Sequence, residues 1–262
     1  MIDTHCHLTY SGLREQVFEV INRARIAGVD RMISVGTTPD DAQQAIEIAE
    51  QFEGVYATVG VHPHYASDWT DPSRITDAIL ENSQHPKVVA VGEMGLDKHY
   101  PDPPLDQQQN LLMWQLEAVQ QLDDLPVIIH NREATDEVLD LLRQSGIPGH
   151  RFVFHCFTGN TSELDAILAF GAMVSFTGII TFNSAIELAE SSDRVPIDRL
   201  MIETDSPYLT PAPYRKVRPN EPQYVIHIAQ FMAQRRNLSI DNFTQNTDRN
   251  ANHFFAFPVC SP

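Results

Sequence analysis

Histidines and carboxylates recur in this chain in patterns that could grip cations. In Ile2-Asp3-Thr4-His5-Cys6-His7 two histidines are separated by one residue. On an extended strand such side chains point the same way, so both imidazoles could hold one metal ion. A second pair, His62 and His64, lies in Gly60-Val61-His62-Pro63-His64, and Glu93 lies in Val91-Gly92-Glu93-Met94-Gly95-Leu96-Asp97. His130 opens His130-Asn131-Arg132, His155 opens His155-Cys156-Phe157, and Asp205 sits in Glu203-Thr204-Asp205-Ser206-Pro207. A lone His-x-His is common and carries little weight. The elements that present these residues decide whether they form a set.

Strand-like apolar runs alternate with helical patterns about eight times. The strand runs are 2–4, 31–35, 55–59, 88–91, 126–129, 151–154, 172–175 and 200–202, most of them short and rich in Val, Ile or Phe. That composition suits strands of a parallel sheet buried on both faces. Between them, Leu13, Val17, Val20, Ile21 and Ala24 share one helical face that ends near Gly28. Residues 40–52, 106–122, 134–142, 162–170, 184–190 and 224–235 have similar periodicity, and Pro39 and Pro72 sit near helix starts. Regular alternation of this kind predicts an α/β protein, a single-domain (β/α)8 TIM barrel over residues 1–262, in preference to an open doubly wound sheet. The proline-rich stretch 207–222 reads as a long functional loop, and 241–255 as a last helix packing Phe243, Phe254 and Phe255 on the barrel.

Laid on this frame, every candidate residue falls at the C-terminal end of a strand, where barrel active sites are assembled. A single buried histidine is usually a hydrogen-bonded core residue, but that reading does not explain why so many strands close on an imidazole or a carboxylate. Four histidines and two carboxylates converging at one end match what a pair of divalent ions needs, with one carboxylate bridging. Imidazole ligands suit Zn²⁺, Mn²⁺, Co²⁺ or Fe²⁺ better than Mg²⁺. His85, His99, His150, His227 and His253 lack partner spacing and are read as ordinary surface or loop residues.

The chain has 262 residues, 42% hydrophobic and 20% charged, as expected of a globular protein. No apolar run approaches the roughly 20 residues needed to cross a bilayer, and the start lacks a secretory pattern, so the expectation is cytoplasmic. Cys6, Cys156 and Cys260 have no zinc-finger spacing and are expected as reduced thiols, with Cys6 and Cys156 as small core residues. The formal charge of −17, from 35 acidic and 18 basic residues, argues against broad binding of a polyanion. Any phosphate substrate would need a local positive site, and nothing calls for an obligate protein partner.

The six motifs quoted above span nearly the whole chain, and together they resemble the TatD family of metal-dependent deoxyribonucleases among the amidohydrolase-like barrels. The resemblance implies that His5 and His7 bind one metal with Asp205, that Glu93 bridges, and that His130 and His155 bind the second. It implies His62, His64 and Arg132 as substrate contacts, with Arg132 either clamping phosphate or pairing with Glu203. Asp205 and Glu93 would then be catalytic, and DNA phosphodiesters would be cut by a hydroxide held between two metals, in exonuclease fashion at strand ends. Related barrels cleave amides or esters, so a D-aminoacyl-tRNA deacylase is one alternative, and a metal-bearing binding module without turnover is another. The basic run that the family carries in its last long loop is altered here to Tyr214-Arg215-Lys216-Val217-Arg218-Pro219-Asn220-Glu221-Pro222, without its glycine and with Pro219 inserted.

Overall fold

The computed structural model describes residues 1–257. Cys260 lies outside the described residues. Eight strands, β1 (Ile2–Cys6), β2 (Arg31–Ser34), β3 (Val55–Val59), β4 (Val88–Asp97), β5 (Val127–Arg132), β6 (Phe152–Phe154), β7 (Met173–Phe176) and β8 (Leu200–Ile202), form one parallel sheet in sequence order. The sheet curls shut between its first and last strands through a parallel bridge from Cys6 to Ser206. There the amide of Asp205 donates to the carbonyl of His5 at 2.9 Å and that of His7 to Ser206 at 2.8 Å. The seam is also tied by Thr204, whose hydroxyl donates to the Asp3 carboxylate at 2.6 Å across 201 residues of sequence. The result is a (β/α)8 TIM barrel.

Helices α1 (Val17–Ile26), α2 (Pro39–Gln51), α3 (Pro72–Asn82), α4 (Leu105–Val119), α5 (Thr135–Gln144), α6 (Thr161–Phe170), α7 (Ile186–Arg194) and α8 (Val225–Arg235) follow the strands in turn. Their ends carry the expected local chemistry. Thr38 caps α2 by accepting from the Asp41 amide, with Pro39 in the first turn where its missing N–H costs nothing. Asn160 and Glu163 form a reciprocal capping box at α6. The first helical pattern is broken, with a 3-10 turn at Arg14–Gln16 before α1.

Two apolar cores result. The larger lies between strands and helices, from Met32, Ala57 and Val91 out to Leu112, Leu116 and Val138. The second takes Ile2, Ile33, Tyr56, Val89, Ile128, Val153, Met173 and Met201, one or so from each strand, and fills the barrel lumen. A ninth helix, α9 (Ile240–Phe255), joins Ala251 and Phe255 to that lumen core, with Phe254 only partly buried against it. Burying a large apolar side chain stabilises by roughly 1.5–3 kcal/mol, so the lumen is a packed scaffold and its open end is free to carry polar groups.

Two expectations about strands and cysteines are corrected. β4 does not stop at Val91 but runs on to Asp97, with a register shift between Val91 and Met94. Cys6 is a buried core residue, whereas Cys156 lies partly exposed just beyond β6 with φ of 46°. The Cys156 amide donates to Glu203 Oε1 at 2.6 Å, so this position serves the site through its backbone.

Candidate metal centre

Glu93 is buried at the centre of the open end, and its two carboxylate oxygens face different partners. Oε2 lies 3.4 Å from His5 Nε2 and 3.9 Å from His7 Nε2. Oε1 lies 2.7 Å from His155 Nε2, 2.8 Å from His130 Nδ1 and 3.4 Å from His62 Nε2. Asp205 completes the first side, with Oδ1 at 3.3 Å from His7 Nε2 and 3.8 Å from His5 Nε2. All six residues expected as ligands are therefore brought together from β1 and the residue after it, β4, β5 and the segments after β6 and β8.

Glu93 reaches this point because β3, β4 and β5 approach closely around glycines. A Cβ on Gly60 would meet the Gly92 backbone at 2.7 Å, and one on Gly95 would meet the His130 carbonyl oxygen at 1.8 Å. Gly95 also has φ of 151°, which side-chain-bearing residues rarely adopt. Gly95→Ala is thus expected to push β4 away from His130 and destabilise the fold by at least about 2 kcal/mol. Chemical denaturation checks this, and a loss below about 0.5 kcal/mol would show that the close approach does not matter.

The electrostatics follow from burial and crowding. Burial alone would raise the Glu93 carboxyl, but the imidazoles of His155, His62 and His130 outweigh it and hold it well below the usual carboxylate range. Burial lowers His5, aided by His155, and lowers His62 to about 4 despite Glu93. Both rings are therefore neutral near pH 7, with a lone pair available. Asp205 overcomes burial to raise His7, and is itself held low chiefly by the hydrogen bond to His7 once burial is offset.

The residues present fit a pair of cations. Neither ring nitrogen of His5 has a hydrogen-bond partner, nor does Nδ1 of His7, although these atoms are buried. Buried polar atoms are rarely left so. His5 also stacks on His155 with centroids 3.9 Å apart, an arrangement of like groups that two neighbouring cations would justify. Ligating atoms lie within 4.8 Å of one another in the sets His5–His7–Glu93, His5–His155–Glu203 and His62–Glu93–His130. His62 therefore lies among atoms that could also bind a cation, beside the substrate contact to which the sequence pointed.

Several supporting residues were not singled out for these roles from sequence. Asp97, buried at the end of β4, lies 2.9 Å from His130 Nε2 and 3.1 Å from His64 Nε2. It fixes the orientation of the His130 ring so that Nδ1 faces Glu93, as carboxylates behind metal-binding histidines commonly do. His130 and His64 hold the Asp97 carboxyl well below its usual range against burial. Gln108 anchors it in turn, donating to the Asp97 carbonyl at 2.9 Å and accepting from its amide at 2.8 Å. Asp3 accepts from the amide and hydroxyl of Thr204 at 2.8 and 2.6 Å, and burial pushes it up to about 8.

Arg132 forms no ion pair with Glu203. Its guanidinium lies 5.5 Å from the Tyr100 ring centroid. Glu203 instead accepts from Ser175 Oγ at 2.7 Å, Thr4 Oγ1 at 3.3 Å and the Cys156 amide at 2.6 Å, facing His155 Nδ1 at 3.3 Å. In the long last loop the exposed Arg218 donates to Thr210 Oγ1 at 3.0 Å and to the carbonyls of Arg215 and Val217 at 2.7 Å each. Arg215 lies over the Phe182 ring at 3.8 Å. The loop is pinned by Asn220, buried and donating to Thr204 O at 3.0 Å, and by Glu221, paired with Arg23 at 2.8 Å.

The likeness to known proteins is extensive. The family model for TatD-related DNases matches residues 2–256. A metal-dependent hydrolase of Bacillus subtilis, YabD, is 37% identical over 255 residues, covering 97% of this chain and 98% of its own. The 3'-5' ssDNA/RNA exonuclease TatD of Klebsiella pneumoniae is 36% identical over 267 residues, covering 99% of each. Among solved structures, the TatD homologue YJJV of Escherichia coli superposes with a TM-score of 0.91 at 28% identity, covering 98% of both chains.

Proposed function

The chain belongs to the family of TatD-related DNases, metal-dependent hydrolases, and from that premise we propose that it cuts DNA phosphodiester bonds at accessible strand ends. The observation that carries this reading is Glu93, whose Oε2 faces His5 and His7 while its Oε1 faces His130, His155 and His62. In the proposed assignment His5, His7 and Asp205 would hold one cation and His130 and His155 the other, with Glu93 available to both. Two divalent cations supply Lewis acidity, which lowers the pKa of water and neutralises charge on phosphate oxygens.

The remaining work falls to the chain. Asp205 orients the attacking water through Oδ1 and takes its proton, since the contact with His7 and its low pKa keep it ionised. His62, His64 and Arg132 line the side of β3, β4 and β5, where they position the phosphate and its leaving oxygen. Asp97 and Glu203 hold the histidines in place from behind. We place the reaction in the cytoplasm, consistent with unpaired Cys6 and Cys156. Among the described residues no helix is long and apolar enough to cross a membrane.

A protein of net charge −17 is expected to neutralise few phosphates outside the metal centre. Engagement of about one to three phosphates is expected, so affinity should fall by only about 0.7 log units per log unit of salt for each. Cleavage of a single-stranded oligonucleotide across a salt series, beside a circle of the same sequence, tests this. A steep slope, or equal cleavage of the circle, would refute end-directed action. Absence of any cleavage alongside turnover of an aminoacyl ester would refute the DNase reading.

A further inference from the structure

We infer that Tyr208 and Tyr100, on opposite rims of the barrel mouth, are two base-stacking platforms that hold the nucleobases flanking the scissile phosphate. The inference rests on the phosphodiesterase reading above and assigns it two specificity-determining residues.

The first support is where the exposed tyrosines lie. Of seven tyrosines in the chain, four are exposed, Tyr65, Tyr100, Tyr208 and Tyr214. All four sit in the segments that follow β3, β4 and β8 at the C-terminal end of the barrel. Tyr100 is 48% exposed and Tyr208 53% exposed. Single exposed apolar residues are ordinary, but a set confined to the mouth of a polar centre is not scattered.

The second support is that both rings are held without being covered. Tyr208 meets Tyr10 edge-on at 6.3 Å, and Tyr10 stacks on His7 at 4.5 Å, so an aromatic relay ties Tyr208 to the first ligand group. Tyr100 is met edge-on by His64 at 5.2 Å and by His99 at 4.9 Å, with the Arg132 guanidinium 5.5 Å from its centroid. His64 in turn shares Asp97 with His130, at 3.1 and 2.9 Å. Each platform is thus braced by one of the two ligand groups. β4 and β8 are four strands apart in the eight-strand order, which sets the platforms across the mouth from each other with Glu93 between.

The third support is the need for a source of binding that is not charge. With net charge −17, attraction for a phosphate backbone away from the metal centre is weak. Stacking of bases on aromatic rings is indifferent to sequence and to net charge. It also demands unpaired bases, since a base inside a duplex offers no free face.

The test uses the metal-loaded protein and a hydrolysis-resistant phosphorothioate oligonucleotide carrying 2-aminopurine at the terminal or the penultimate position. Wild type should quench the probe at both positions. Tyr208→Ala should lose quenching at one position and Tyr100→Ala at the other, each with about tenfold weaker binding, while Tyr208→Phe and Tyr100→Phe restore both. Replacing the affected nucleotide by an abasic one should erase the difference between wild type and the alanine variant. Thermal melting that matches wild type excludes a folding defect, and the phenylalanine variants carry the comparison where an alanine variant melts early. If the oligonucleotide binds and is cut in its native form but quenching and affinity are unchanged in both alanine variants, the platforms are refuted and the phosphodiesterase reading stands. If it neither binds nor is cut, that reading fails and the platforms with it.

Discussion

Glu93→Ala is expected to reduce hydrolysis by on the order of a thousandfold or more, since two-cation stabilisation of a phosphoryl transfer contributes several kcal/mol and each 1.36 kcal/mol is tenfold. The expectation follows from its central position, with one oxygen 2.7 Å from His155 and the other 3.4 Å from His5. Any single histidine serves one side, whereas this carboxylate serves both, and its loss leaves two positive centres facing each other with no anion between them. Glu93→Gln keeps the volume and removes the charge, so comparing the two separates electrostatics from the cavity left by truncation. The decisive measurement is activity at saturating metal beside His5→Ala. Should Glu93→Ala retain more activity than His5→Ala, Glu93 is not shared between two cations.

Changing His5 and His7 together to alanine is expected to leave about one equivalent of bound metal. On the far side of Glu93, His130 and His155 keep their contacts with Oε1, and Asp97 still orients His130 from behind at 2.9 Å. On the near side only Asp205 and Oε2 remain, two oxygen donors without imidazole, a set poorly suited to the metals that histidine favours. Elemental analysis after gentle purification reads the result. Two full equivalents in the double variant would overturn the division into two groups.

The residues at the heart of the site were legible in the sequence because each follows a short apolar run, and a barrel puts such positions on one rim. That rule located His5, His7, His62, His64, Glu93, His130, His155 and Asp205 without any knowledge of distances. It could not see past Val91 in β4, because Gly92-Glu93-Met94-Gly95 has none of the branched residues that mark strands and the strand continues through positive-φ glycines. Asp97 escaped for another reason. Its partners His64 and His130 are each 33 residues away, and an aspartate at a strand end has no local signature for such a role. The suggested pairing of Arg132 with Glu203 failed because Glu203 is already satisfied by Ser175, Thr4 and the Cys156 amide inside the barrel. Helix α3 was signalled only by Pro72, since just Ile75 and Ile79 are fully buried on its inner face.

The barrel closes at the same place where its first ligand group lies, and this makes chemical competence a property of the completed chain. His7 is aimed by a bond to Ser206, Asp205 by a bond to the His5 carbonyl, and Asp3 is tied to Thr204 across 201 residues. These are among the most non-local contacts in the fold, the kind whose loop-closure entropy is met late in folding. A nascent chain that has not yet released β8 from the ribosome carries the two histidines but neither their carboxylate nor the strand that orients them. Local fraying at the seam would likewise dismantle the first group before the second. A copy whose seam is open therefore carries half a site, and the first ligand group is complete only when the two ends of the sheet meet.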